Sequence, residues 1–252
     1  VTITAINDAP VATNVIITAA NDRIGTLNTG SFTFTDPDGD DPGTHTYKWY
    51  RSISSDGSSA TLITGAITAT YRPAKADGGN YIGFEVTPVD EFGLAGLPVR
   101  SAFRYINANP VATNATIYAP LTQPGSIIRG RFTYSDKEGN PRGNSTYYWY
   151  RSDVANPTPA APGTLLTPGG TTYSTYRLVA ADANKWIRYR VHPVAQVGST
   201  PGDSIWSNII GPIGSYSANI TGSDTACFGI IMSITLTINA GQAPYTAVLH
   251  RA

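Results

Sequence analysis

Tyr47-Lys48-Trp49-Tyr50-Arg51-Ser52 returns as Tyr147-Tyr148-Trp149-Tyr150-Arg151-Ser152, one hundred residues further on. Working outward, Pro10-Val11-Ala12-Thr13-Asn14 returns as Pro110-Val111-Ala112-Thr113-Asn114 at the same spacing. Thr70-Tyr71-Arg72-Pro73-Ala74-Lys75-Ala76-Asp77 matches Thr175-Tyr176-Arg177-Leu178-Val179-Ala180-Ala181-Asp182, now at a spacing of 105. Five residues are therefore inserted after Ser152, and the stretch 153–170, rich in Pro, Ala, Thr and Gly, has the chemistry of a loop that absorbs them. A period near 100 residues is too long for a solenoid and fits one β-sandwich domain. The expected organisation is residues 1–9 as the last strand of a preceding copy, 10–108 as one domain, 109–213 as a second, and 214–252 as the start of a further β domain. Ile106-Asn107-Ala108-Asn109-Pro110 echoes Ile6-Asn7-Asp8-Ala9-Pro10, so one short, proline-stiffened connector is expected at both boundaries. Val1-Thr2-Ile3 reads as a strand already under way, as in a fragment of a longer chain.

Within each repeat the apolar period is two, the period of a strand with one buried face. Phe32 and Phe34 alternate with Ser31, Thr33 and Thr35. Ile82, Phe84 and Val86 correspond to Ile187, Tyr189 and Val191, whereas the intervening Gly83 and Glu85 become Arg188 and Arg190. The first set is expected to face the core and the second to face solvent. No window has a helical period, which limits helix to single turns near 74–78 and 180–183. The expected class is all-β, with tandem sandwiches in an elongated array.

Composition narrows the function. Lys plus Arg and Asp plus Glu each number 17 in 252 residues, so there is no net field to gather phosphate, and nucleic acid is not an expected partner. No apolar run reaches the roughly 18–20 residues of a membrane helix, so no membrane insertion is expected. Cys227 is the one cysteine, which excludes an internal disulfide framework; it reads as a buried, inert residue.

The Trp of the Tyr-x-Trp-Tyr-Arg motif and the run Ala76-Asp77-Gly78-Gly79-Asn80-Tyr81 resemble the strand-C tryptophan and the Asp-x-Gly-x-Tyr corner of immunoglobulin-like modules in large bacterial surface proteins. Gly83 and Arg188 stand at the usual cysteine positions, so the inter-sheet disulfide of antibody domains is missing. Farther on, Ala226-Cys227-Phe228-Gly229, Ile234-Thr235-Leu236-Thr237-Ile238 and Gly241-Gln242-Ala243-Pro244-Tyr245-Thr246 resemble the opening of repeats in Bacteroidetes cell-surface adhesins of the gliding-motility type. That resemblance implies type nine secretion and an extracellular, cell-surface location.

Asp36-Pro37-Asp38-Gly39-Asp40 places carboxylates at alternate positions around a glycine turn, an arrangement suited to Ca²⁺, and Asp136, Glu138 and Asn140 keep oxygen ligands at the matching places. Tyr47 stands where an EF-hand would carry its glutamate, and a plain solvated turn explains the same residues. Trp49 and Trp149 recur at strand positions and read as core. Tyr50, Tyr150 and Trp186 fall on the opposite face and are the candidates for contact with an extracellular glycan or surface ligand. His45, His192 and His250 hold no repeated place, and no nucleophile elbow, phosphate loop or zinc motif occurs, so the chain is not expected to be an enzyme. Ser204 and Thr225, each following Asp, resemble Bacteroidetes O-glycosylation sites.

Together these features describe a non-catalytic repeat segment of a surface adhesin, acting as a stalk and offering repeated weak sites, with neighbouring repeats as its partners and Ca²⁺ as its one candidate cofactor. Two alternatives stand beside it: accessory carbohydrate-binding or spacer modules of a secreted polysaccharide-degrading enzyme, and the subunit of a surface filament assembled through strand edges.

Overall fold

The computed structural model describes residues 6–215 and the backbone of the short strands at 218–221 and 235–238. Contacts divide the chain into two units. Unit 1 comprises Val1–Pro110, Ser135–Gly143 and Ala195–Gly202; unit 2 comprises Val111–Tyr134, Asn144–Val194 and Asp203–Ala252.

In unit 1, β1 (Val11–Ala19), β2 (Asn28–Thr35), β3 (Thr46–Ser52), β4 (Thr61–Leu62), β5 (Thr70–Tyr71), β6 (Asn80–Thr87), β7 (Val99–Arg100) and β8 (Arg104–Ile106) form two antiparallel sheets. One has the order β1-β2-β5 and the other β4-β3-β6-β7, with β8 also on β6. Unit 2 repeats this with β9 (Val111–Tyr118), β10 (Ile127–Ser135), β11 (Thr146–Ser152), β12 (Thr164–Leu165), β13 (Thr175–Arg177), β14 (Trp186–His192) and β15 (Ile205–Trp206). Its sheets run β13-β10-β9 and β12-β11-β14-β15. Each repeat is an immunoglobulin-like sandwich. In antibody constant domains the fourth strand lies on the sheet of the first; here β4 and β12 pair with β3 and β11, so the strands divide three and five in unit 1 and three and four in unit 2. Past 215 the backbone continues into β16 (Ala218–Thr221), antiparallel to β17 (Thr235–Ile238). The remainder of the region read from the sequence as a further domain, Cys227, Thr225 and His250 included, lies outside the described residues.

Each sandwich closes around its tryptophan. Trp49 is fully buried with Ile82, Phe84, Val86 and Ile106, and its Nε1 donates to the Thr68 carbonyl (2.9 Å). Trp149 takes the same place among Ile128, Ile187, Tyr189 and Val191. Phe84 and Tyr189 press so closely on the opposite sheet that a Cβ at Gly30 would lie 2.4 Å from the Phe84 ring, and one at Gly130 2.9 Å from that of Tyr189. The asparagines of the recurring Pro-Val-Ala-Thr-Asn motif are also explained. Asn14 (φ 51°) and Asn114 (φ 52°) occupy the left-handed region that asparagine tolerates, and in β1 this coincides with a register slip between Thr13 and Ile16.

Among the described residues, helix is confined to single 3₁₀ turns, Lys75–Asp77 and Ala180–Asp182, near the stretches expected from the sequence. The five-residue insertion is split: eleven residues join β11 to β12 where eight join β3 to β4, and nine join β12 to β13 where seven join β4 to β5.

One expectation is corrected. The outer face of β6 and β14 is not given to solvent: Glu85 is 8% and Arg188 4% exposed. Phe103 lies over Gly83, and the inserted loop supplies the Pro157 and Thr158 carbonyls to the Arg188 guanidinium. Side chains on this face are long enough to fold back on the sheet and be covered by loops, which alternation alone does not reveal.

Candidate metal centre

The 36–41 turn follows β2. Gly39 takes φ +81°, a conformation open to glycine, and lets the chain reverse so that Asp36 Oδ1 accepts the amides of Asp38 (2.8 Å) and Asp40 (3.4 Å). The reversal brings carboxylate oxygens of Asp36, Asp38 and Asp40 within 4.8 Å of one another. Asp38 Oδ2 reaches out of the turn to accept the Asp8 amide at 2.6 Å, tying the turn to the 6–10 connector.

Two residues the sequence reading did not include stand beside the cluster: Asn7, which shares its cleft, and Asp90, which holds Asn7 in place. Asp90, 1% exposed, accepts the amides of Phe92 (3.0 Å) and Leu94 (2.8 Å) on Oδ1 and the Asn7 side-chain amide on Oδ2 (2.9 Å). Ile6, Asn7, Asp38, Asp40 and Phe92 line a cleft between connector and turn. Asp36 Oδ2 and Asn7 Oδ1 are buried acceptor oxygens without a hydrogen-bond partner. The Asp40 carboxyl is raised above its ordinary range, first by partial burial and then by the charges of Asp36, Asp38, Asp90 and Glu91. Hard oxygen donors converging under mutual repulsion are what Ca²⁺ coordinates. Asn7 was legible as part of a connector recurring at Asn107. Asp90 left no trace in the repeat, because Ala195 occupies the matching place.

The second turn, also within unit 1, is built on the same frame with different chemistry. Asp136 Oδ1 accepts the amides of Glu138 (3.1 Å) and Asn140 (3.0 Å), and Glu138 Oε1 accepts the Ala108 amide (3.1 Å) as Asp38 accepts that of Asp8. Here the Tyr105 hydroxyl also donates to Glu138 Oε1, and Lys137 Nζ donates to the Gly79 carbonyl (2.5 Å). Burial and Glu138 together push the Tyr105 hydroxyl above its ordinary value. Asn107 accepts the Ser199 amide on Oδ1 and the Ser199 hydroxyl on its carbonyl oxygen, both at 2.6 Å. Asp136 Oδ2 and Glu138 Oε2 are buried without hydrogen-bond partners, but two carboxylates beside an ammonium group are a poorer cation cage than the set around Asp36.

The aromatic candidates separate. Tyr50 is half-buried, its hydroxyl donating to Glu85 Oε1 (2.9 Å) and its ring covered by Arg100 at 3.8 Å. Tyr150 is 7% exposed and packs on Trp206 at 5.0 Å, which corrects its expected role as an open contact residue. Trp186 is half-buried, and Ser204 is exposed. Tyr50 belongs to unit 1, and Tyr150 and Trp186 to unit 2.

Sequence reasoning also passed over the reason why Arg51, Tyr71 and Asp77 recur. Asp77 is fully buried and accepts Arg51 Nε (2.7 Å), the Tyr71 hydroxyl (2.7 Å) and the Ala74 amide (2.6 Å). Asp182 likewise accepts the Tyr176 hydroxyl (3.0 Å) and the Val179 amide (2.7 Å) on Oδ2, but Arg151 stands 3.3 Å from Oδ1 as an ion pair without a hydrogen bond. These anchors are internal to each sandwich and offer no reactive group to solvent.

No family model matches the chain. It is 26% identical over 212 residues to the 187-kDa microtubule-associated protein AIR9 of Arabidopsis thaliana, a match covering 83% of this chain and 12% of that protein. Among solved structures, the chain is similar to the FN1–FN3 domains of chicken CNTN1 (10% identity, 85% of this chain and 72% of that one, TM-score 0.28). It is also similar to the Escherichia coli adhesin FdeC (17% identity, 80% and 66%, TM-score 0.31). The fold assignment rests on strand order and register. Among the described residues, no helix is long and apolar enough to cross a membrane.

Proposed function

We propose that this chain is a non-catalytic spacer segment of a long, modular surface protein, whose 6–10 connector is stiffened when Ca²⁺ binds between Asp36, Asp38, Asp40 and Asn7, with Asp90 positioning Asn7. The observation that carries this reading is the Asp38–Asp8 hydrogen bond beside two buried, unpartnered oxygens, because a cation held there cross-links connector and turn. A spacer needs rigid modules and restrained joints, and the doubled sandwich cores together with the bond between connector and turn support that reading. Display on a bacterial cell surface after type nine secretion, as in a gliding-type adhesin, extends the same reading and rests on the resemblance in residues 220–246. The relative AIR9, of which the chain spans 12%, accords with such modules being short segments of long chains.

Calorimetric titration of Ca²⁺ into the chelator-treated chain tests this reading. One saturable event that disappears in Asp40→Asn supports it; no heat, or heat unchanged in the variant, sinks the metal. Co-sedimentation with microtubules would instead favour the association for which that relative is named.

A further inference from the structure

We propose that the outer face of β14, where Arg190 lies between Tyr148 and Trp206, binds a carboxylated sugar of an acidic polysaccharide. The matching face of unit 1 carries its own anion. There Glu85 pairs across the strands with Lys48 and Arg100, and its carboxylate receives Arg100 Nη2 (2.7 Å), the Tyr50 hydroxyl (2.9 Å) and the Lys48 ammonium (3.8 Å). One anion is neutralised inside the protein, and the face is closed.

In unit 2 the three matching residues are Tyr148, Arg190 and Trp206, in the same cross-strand register. The carboxylate has become a guanidinium and its cationic neighbours have become rings: Arg190 Cζ lies 5.1 Å from the Tyr148 ring centre and 5.5 Å from that of Trp206. Arg188, where unit 1 has Gly83, adds a second guanidinium 4.0 Å over Trp206. It is 4% exposed, and its donors meet the carbonyls of Pro157 and Thr158 rather than a carboxylate. Among the described residues neither arginine forms an ion pair, and Nε of each is buried without a hydrogen-bond partner. Burial works against the Arg188 charge, and burial together with Arg190 works against that of His192, which packs on Tyr148 at 5.4 Å.

A buried or half-buried cation without a counter-charge is costly unless an anion arrives. The position Glu85 fills in unit 1 shows where that anion fits: a carboxylate taken bidentately by the Arg190 fork. The half-buried rings on either side call for an apolar face beside the charge. A uronic acid unit carries both features, the C–H face of its ring for stacking and its carboxylate for the arginine. An acidic peptide offers the charge without that face, and a neutral glycan the face without the charge.

The test uses the whole chain, titrated with polygalacturonate, dextran and polyglutamate at one fixed salt concentration. Saturable binding to polygalacturonate, at least tenfold tighter than to polyglutamate and absent with dextran, is the expected result. Arg190→Glu installs the residue unit 1 carries there and is expected to reduce polygalacturonate binding at least tenfold. Should that variant unfold, Trp206→Arg, also borrowed from unit 1, keeps Arg190, adds a positive charge and removes a ring, and is expected to abolish the preference for polygalacturonate over polyglutamate. Absence of polygalacturonate binding, equal binding of the two acidic polymers by the unaltered chain, or full retention in the folded Arg190→Glu variant overturns the proposal.

Discussion

Arg51 Nε lies 2.7 Å from Asp77 Oδ1, joining the end of β3 to the 3₁₀ turn that leads into β6. Arg51 keeps 31% of its side chain exposed while Asp77 has none. The carboxylate is therefore the partner committed to the interior. Its other oxygen holds the Tyr71 hydroxyl and the Ala74 amide, so one buried anion organises three segments of the sandwich. Burial, and after it the hydrogen bond to Asp77, push the Tyr71 hydroxyl up to about 12.

Asp77→Asn is expected to destabilise unit 1 by about 3 kcal/mol, the lower end for breaking a buried pair, because Arg51 reaches water. Chemical denaturation read by hydrogen exchange across 80–87 checks it. Asp182→Asn is expected to act on 186–192 instead and to cost less, since its ion pair with Arg151 is longer, at 3.3 Å.

Gly30→Ala drives a methyl group into the Phe84 ring, which Trp49 backs at 5.2 Å. A loss of about 1–3 kcal/mol is expected, as for overpacked cores. Gly30→Ala combined with Phe84→Leu should recover part of it, and denaturant midpoints of the single and double variants measure the recovery.

His45 sits against Phe32 (5.1 Å) and Phe34 (5.5 Å), and Nδ1 accepts the Val89 amide (3.0 Å). Burial lowers the imidazole below its ordinary value, so protonation is harder in the folded state. Between the folded value and the unfolded value of about 6.5 the unfolded chain binds more protons. This contribution is complete above that unfolded value and is lost as pH falls through the folded one. His45→Phe should flatten the pH dependence of unit 1 stability between pH 5 and 7, measured by thermal melts.

The sandwich was legible because its signals are local and doubled: a tryptophan, an alternation and a connector each appear twice, and the residues expected in the core, Ile82, Phe84, Val86 and their partners, are fully buried. The Asp36, Asp38 and Asp40 cluster was legible for a related reason, since a glycine turn spaces its carboxylates within five residues. Asp90 was not, because it arrives from a loop fifty residues away in sequence and has no counterpart in the second copy. The outer face of β14 was misread because Arg188 and Arg190 look like solvent residues by type. Only the register with Trp206 and the inserted loop shows what covers them.

A cation that restrains the first connector and spares the second turn is measured directly by hydrogen exchange in saturating Ca²⁺ against chelator. At a hundredfold excess over the dissociation constant the bound state gains about 2.7 kcal/mol, or roughly hundredfold slower exchange where opening releases the ion. The expected result is increased protection across 6–9, the Asp8 amide above all, and across 36–41 and 90–94, lost in Asp36→Asn, with 136–140 unchanged. Protection that does not respond to Ca²⁺, or that rises equally at 136–140, would contradict it.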